Sequence, residues 1–132
     1  MDFTISEEQQ DIVNLARQIL GDQVTADELH HYDSRETPRF DEKLWAQLAE
    51  SGLLGITIDA QNHGMGFGFT ELALFIEECG RVLAPVPVVP SCISAMAIAR
   101  YGDDSTKAIL GDHVVGKVVF SAAVQEAGNE DV

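Results

Sequence analysis

Apolar and polar positions recur with a helical period over most of this chain. Ser6-Glu7-Glu8-Gln9 has the form of a capping box, in which the serine and glutamine side chains satisfy the free amides of a first helical turn. Ile12, Leu15, Ala16, Ile19 and Leu20 follow on one stripe, which predicts an amphipathic helix from residue 7 to Leu20 or slightly beyond, weakened at Gly21. The stretch from His30 to Pro38 is polar and reads as a connector, because Pro38 bars a continuous helix. Asp41 is the expected N-cap of a second helix, with Phe40 placed to staple onto Trp45 and with Leu44, Trp45 and Leu48 on the buried face. A third helix is predicted over 69–81, burying Leu72, Phe75, Ile76 and Cys79. Pro85, Pro87 and Pro90 then interrupt the chain before a fourth helix over 91–101, and Asp103-Asp104-Ser105 caps a fifth that lasts to Leu110. After Gly116 the period changes. Lys117 to Val124 is rich in β-branched residues with no helical stripe and predicts a strand. The expected architecture is an all-α antiparallel bundle of about five helices with a trailing C-terminal β-strand.

The link between the second and third helices, Gly52 to Phe69, carries a short β-branched apolar run and a series of glycines. Gly52 suits a left-handed helix C-cap. Gly64, Gly66 and Gly68 alternate through a turn and are expected to hold positive φ, a conformation that side chains with a Cβ resist. Taken alone, this is an interhelical loop that binds nothing.

Composition narrows the chemistry. The chain has 132 residues, enough for one domain with a real core, and carries a formal charge of −14. That charge excludes nucleic acid and anionic membrane surfaces as partners, since both need Lys and Arg to neutralise phosphate. It also speaks against this chain gripping the phosphates of a cofactor unaided. No apolar run approaches the ~20 residues needed to span a bilayer, and the acidic start has no signal-peptide core. Cys79 and Cys92 are expected to be buried thiols of a reducing compartment, and the expected location is cytoplasmic. The 4 histidines, His30, His31, His63 and His113, lack metal-site spacing and are read as solvated, so no metal is expected. Glu77-Glu78 and Asp103-Asp104 fit solvation or helix-dipole roles, not acid–base catalysis. Ser34, within Asp33-Ser34-Arg35, loosely resembles the phosphopantetheine site of acyl carrier proteins, but such a serine opens a helix and here Pro38 follows closely.

The flanks of the glycine-rich link are more specific. The segment ending Ser51-Gly52-Leu53-Leu54-Gly55, then the loop, then Glu71-Leu72-Ala73-Leu74-Phe75-Ile76-Glu77-Glu78-Cys79-Gly80-Arg81 resemble, in order and spacing, the N-terminal helical domain of the acyl-CoA dehydrogenase family. The family pattern is a helix ending SGLLG, a loop written PEEYGGxG, and a helix ELALxxEExGR. The likeness continues through Val82-Leu83-Ala84-Pro85-Val86-Pro87 to Ser121-Ala122-Ala123-Val124-Gln125-Glu126-Ala127-Gly128, which is similar to the opening of the family's flavin-contacting TEPGAGSD segment. Asp59-Ala60-Gln61-Asn62-His63-Gly64 departs from the loop pattern, as do Gln125 and Ala127 from its usual Thr and Pro, which marks a divergent subfamily.

The resemblance implies an FAD-dependent enzyme that desaturates an acyl-CoA thioester at its α,β bond, with an electron-acceptor flavoprotein as a possible partner. It implies that residues 1–116 form the helical domain and 117–132 begin a middle β domain. It also implies a longer parent whose remaining domains carry the catalytic base, so that no catalytic residue falls in this chain and FAD is not held by it alone. Val86, Val89 and Ile93 would face the acyl group, with small residues Ser91, Ser94, Ala95 and Ala97 leaving room, although the same apolar spacing also fits plain core packing. Ala122, Val124 and Gln125 would supply backbone contacts to the flavin. The alternatives are a short non-catalytic subunit that completes a heteromeric dehydrogenase and, at a greater distance, the carrier-like module.

Overall fold

A computed structural model describes residues 4–33 and 38–123. In chain order they form α1 (Glu7–Gln23), α2 (Ala26–Asp33), α3 (Glu42–Glu50), two 3₁₀ turns (Leu53–Gly55 and Ala60–Asn62), α4 (Phe69–Arg81), α5 (Val88–Tyr101), α6 (Asp104–Lys107) and α7 (Leu110–Val114). The described residues are helical and include no strand, in keeping with the all-α expectation.

Local chemistry accounts for most boundaries. The Ser6 hydroxyl accepts from the Gln9 amide at 3.2 Å and the Gln9 side chain accepts from the Ser6 amide at 3.0 Å, so the capping box forms. Asp41 caps α3 by accepting from the Leu44 amide at 2.9 Å, and the Phe40 ring meets Trp45 edge-on at 6.0 Å between centroids. Asp103 accepts from the amide and hydroxyl of Thr106, which holds its carboxyl down at about 2 and starts α6. Helix α2 departs from the sequence reading, which placed His30 to Asp33 in a connector. Thr25 caps it through the Glu28 amide, Asp27 and Glu28 lie in its first turn and His30 and His31 in its last. None of its residues is buried, so no apolar stripe announces it.

Helix α1 lies along α4 and also touches α3, and the three meet in a core of Ile12, Ala16, Leu48, Leu72 and Phe75. Fully burying a side chain such as Phe75 or Leu48 stabilises by about 1.5–3 kcal/mol. A polar seam runs beside this core. Arg17 donates through Nε and Nη2 to both oxygens of Glu78, each at 2.9 Å, and Arg81 approaches the same carboxylate at 3.4 Å. Glu78 is 4% exposed, contrary to the expectation of a solvated Glu77-Glu78 pair; Glu77 alone is exposed. At the other end of the seam Gln9 donates to Glu71 at 2.7 Å.

The 52–68 link is packed. Met65, Gly66 and Phe67 donate backbone hydrogen bonds to Gly55, Ile58 and Ile56 at 2.8–2.9 Å, folding the link back on itself over the buried Ile56 and Ile58. Gly52 takes the left-handed C-cap conformation at φ +81°. Of the three alternating glycines only Gly66 has positive φ, +72°. Gly64 is there for space: a Cβ on it would run into the backbone carbonyl of Ile58.

Candidate functional site

Helix α5 organises both candidate regions, and it starts earlier than its prolines indicate. Val88 is its first residue, and Pro90 sits in the first turn, where a missing amide costs nothing because those amides have no partner within the helix. The link before it is tied down by the Ala84 amide donating to the Cys79 carbonyl at 3.0 Å and by the Asp41 amide donating to the Pro85 carbonyl at 2.9 Å. Leu83 is held there at φ 55°, an uncommon conformation for a branched side chain, and stands 73% exposed.

Between the end of α4 and the start of α5 opens an apolar groove of about 340 Å³, lined by Ile76, Cys79, Leu83, Val86 and Val89, with Val88 at its base. Two of the three expected substrate-facing residues, Val86 and Val89, share this groove. Ile93 is not in its lining; it lies one helical turn beyond Val89, and the two are exposed to 40% and 45%. Ser91 and Ala95, expected to leave room beside the acyl group, instead face inward and are buried. Burial pushes the thiols of Cys79 and Cys92 up to about 12, so both are neutral and unreactive.

The inward face of α5 meets the chain that leaves α7. Trp45 Nε1 donates to the Gly116 carbonyl at 3.0 Å, His113 Nδ1 lies 3.1 Å from the Val118 carbonyl, and the Phe120 amide donates to Ser91 Oγ at 2.9 Å. The expected strand is therefore absent among the described residues 117–123. The chain's inward polar groups are taken by helix side chains and by the Asp112 carbonyl, and not by a second strand. The rings of Trp45, His113 and Phe120 follow one another, tilted, at 6.1 and 5.0 Å between centroids. His113 is fully buried, which corrects its reading as a solvated residue; His30, His31 and His63 are exposed. Burial lowers the His113 pKa against the opposing pull of the Val118 and Leu54 carbonyls. With Nδ1–H directed at Val118, the bare nitrogen is Nε2, which is buried without a hydrogen bond of good geometry. Sequence periodicity could not single out His113, because nothing in the local pattern marks it as packed.

Ala122 is exposed. Val124 and Gln125, the other expected flavin contacts, and the carrier-like Ser34 lie outside the described residues. No cluster of three or more His, Cys, Asp or Glu able to hold a metal occurs among the described residues, and no helix there is long and apolar enough to cross a membrane.

Sequence and fold together identify the acyl-CoA dehydrogenase N-terminal domain. The model of that domain matches residues 6–116, and the chain belongs to the acyl-CoA dehydrogenase family. It is 32% identical over 122 residues to acyl-CoA dehydrogenase FadE27 of Mycobacterium tuberculosis, covering 87% of this chain and 32% of that one. Among solved structures it resembles a variant of the Tcur3481–Tcur3483 steroid ACAD, with TM-score 0.87 and 35% identity over 96% of this chain and 35% of that chain. It is equally similar in fold to the ChsE4–ChsE5 complex of M. tuberculosis, with TM-score 0.87 and 31% identity over 99% of this chain and 36% of that one. The chain thus spans about a third of the length of these relatives.

Proposed function

We propose that this domain forms one wall of the acyl-thioester site of an FAD-dependent acyl-CoA dehydrogenase, a cytoplasmic enzyme of α,β-desaturation. The observation that carries this reading is the unpartnered apolar face of α5, Val89 and Ile93, beside the groove that Val86 shares. Apolar side chains of this kind orient a substrate by burial and exclude water from the reacting bond. A flavin bound there would supply the acceptor for a hydride from the β carbon, and a carboxylate outside this chain would take the α proton. This chain's own contribution is positioning. Residues 117–132, read as the start of the middle domain, bring the backbone at Ala122, Val124 and Gln125 to the flavin, and backbone contacts tolerate the unusual Gln125. The remaining flavin surface belongs to further domains or to a partner subunit. The paired names of two similar solved structures also support a partner subunit, and an electron-acceptor flavoprotein would reoxidise the cofactor. Because one of those structures is described as a steroid ACAD, a bulky polycyclic acyl group is the first substrate to test.

With a charge of −14 and only part of the flavin surface, the chain by itself is expected not to bind FAD; a dissociation constant in the low micromolar range by titration would contradict this. In the assembled enzyme, Ile93→Trp should lower kcat/KM for bulky thioesters and spare short ones, by about 10- to 200-fold in their ratio. A uniform loss across acyl sizes would instead mean that Ile93 is ordinary packing.

A further inference from the structure

Ser91 and His113 are polar, fully buried, and belong neither to the apolar groove nor to the bundle's hydrophobic clusters. They come from different helices, α5 and α7, and their side chains are 3.5 Å apart at Ser91 Oγ and His113 Nδ1. Both are spent on one object. His113 Nδ1–H points at the Val118 carbonyl, and Ser91 Oγ accepts the Phe120 amide, so two consecutive inward-facing residues of the exit are gripped at their backbones. The grip does not depend on what side chains the exit carries. The Phe120 ring lies against the imidazole, tilted by 36° at 5.0 Å between centroids.

A buried serine and a buried histidine are costly unless satisfied, and a core of this size is easily completed with alanine and leucine. Their presence is explained if the path of residues 118–120 has to be fixed. We propose that Ser91 and His113 are positioning residues: a two-point clasp that sets the direction of the chain toward Ala122, and so the distance at which the following backbone meets the flavin. The second half of this statement rests on the flavin role given above; the first half does not.

The test has two arms. In the 132-residue chain, amide hydrogen exchange reads the clasp directly. Ser91→Ala should speed exchange at Phe120 by about five- to tenfold, with the amides of Leu72 and Phe75 unchanged. His113→Leu should do the same, and His113→Asn, which keeps a donor near the Nδ1 position, should restore slow exchange. Unchanged Phe120 exchange in Ser91→Ala would overturn the clasp. In the flavin-loaded dehydrogenase containing this domain, Ser91→Ala and His113→Leu should shift the visible flavin band and speed flavin loss, and His113→Asn should recover both. Faster Phe120 exchange with an unaltered flavin band and retention would overturn the positioning role while leaving the clasp in place. A wild-type assembly that takes up no flavin would overturn the flavin reading and the positioning role together, and the exchange arm would still report on the clasp.

Discussion

A methyl group added at Gly64 would press against the backbone carbonyl of Ile58, which is itself fixed by the Gly66 amide and cannot rotate aside as a side chain would. At Gly66 the surroundings are open, and the only penalty is the positive φ of +72°. Gly64→Ala should therefore cost about 1–3 kcal/mol or more through overpacking, and Gly66→Ala about 1 kcal/mol through backbone strain. Urea midpoints for the two variants check the order, and a larger loss at Gly66 would mean that the link yields at Ile58. Alternating glycines are visible in the sequence, but not which of them is needed for torsion and which for space. That distinction is set by Ile58, a partner that only the folded link brings close. Leu83 presents the converse case. Its left-handed backbone is unfavourable for leucine and invisible to local patterning, and its exposed side chain stands over the groove.

At the level of elements, legibility followed burial. Helices α1, α3 and α4 carry strong apolar stripes, α1 and α3 have clear caps, and α4 begins and ends where the pattern places it. Helix α2, with no buried residue, left no stripe to find, and the start of α5 was hidden because a proline in a first turn looks like a proline that breaks a helix. Charge patterning likewise could not separate Glu78 from its neighbour Glu77, because the difference lies in Arg17, which reaches Glu78 from another helix. Replacing Glu78 with Gln removes a charge-assisted bidentate contact between α1 and α4 and should cost about 1–3 kcal/mol.

Acid should act on these elements in two windows. Arg17 holds the Glu78 carboxyl below its ordinary value of 4.5. The unfolded chain therefore takes up that proton first, and the stabilisation present above 4.5 is lost as pH falls through the lower folded value. Burial likewise lowers His113 below 6.5, so its contribution is present above that value and begins to fall at milder acidity. Denaturant midpoints measured from neutral to acidic pH should fall in both windows, with His113→Asn removing the first and Glu78→Gln reducing the second, to which the lowered carboxyls of Glu71 and Asp103 also contribute.

Across the whole molecule, fold class and family were legible, because an all-α pattern and an ordered set of motifs survive a divergent loop. The site was legible only in part. Val86 and Val89 meet in one groove, whereas Ser91 and Ala95 turned out to serve the inner face of the same helix. The strand signal after Gly116 was wrong: the described residues 117–123 form no strand, because nothing in a β-branched run says who its neighbour is. Along this run, Gly116, Val118 and Phe120 are half-buried while Lys117, Val119 and Ser121 are exposed, a two-residue rhythm. Odd and even positions therefore answer to different masters. Phe120→Ala should lower the unfolding midpoint of the domain by the equivalent of about 1–3 kcal/mol, since it uncovers His113 and Ile58's cluster, whereas Val119→Ala should shift it by less than ~0.5 kcal/mol. If so, sequence at the odd positions is free to drift with whatever lies outside the bundle, without any toll on the bundle itself, and one short ribbon can be tuned on its two edges independently.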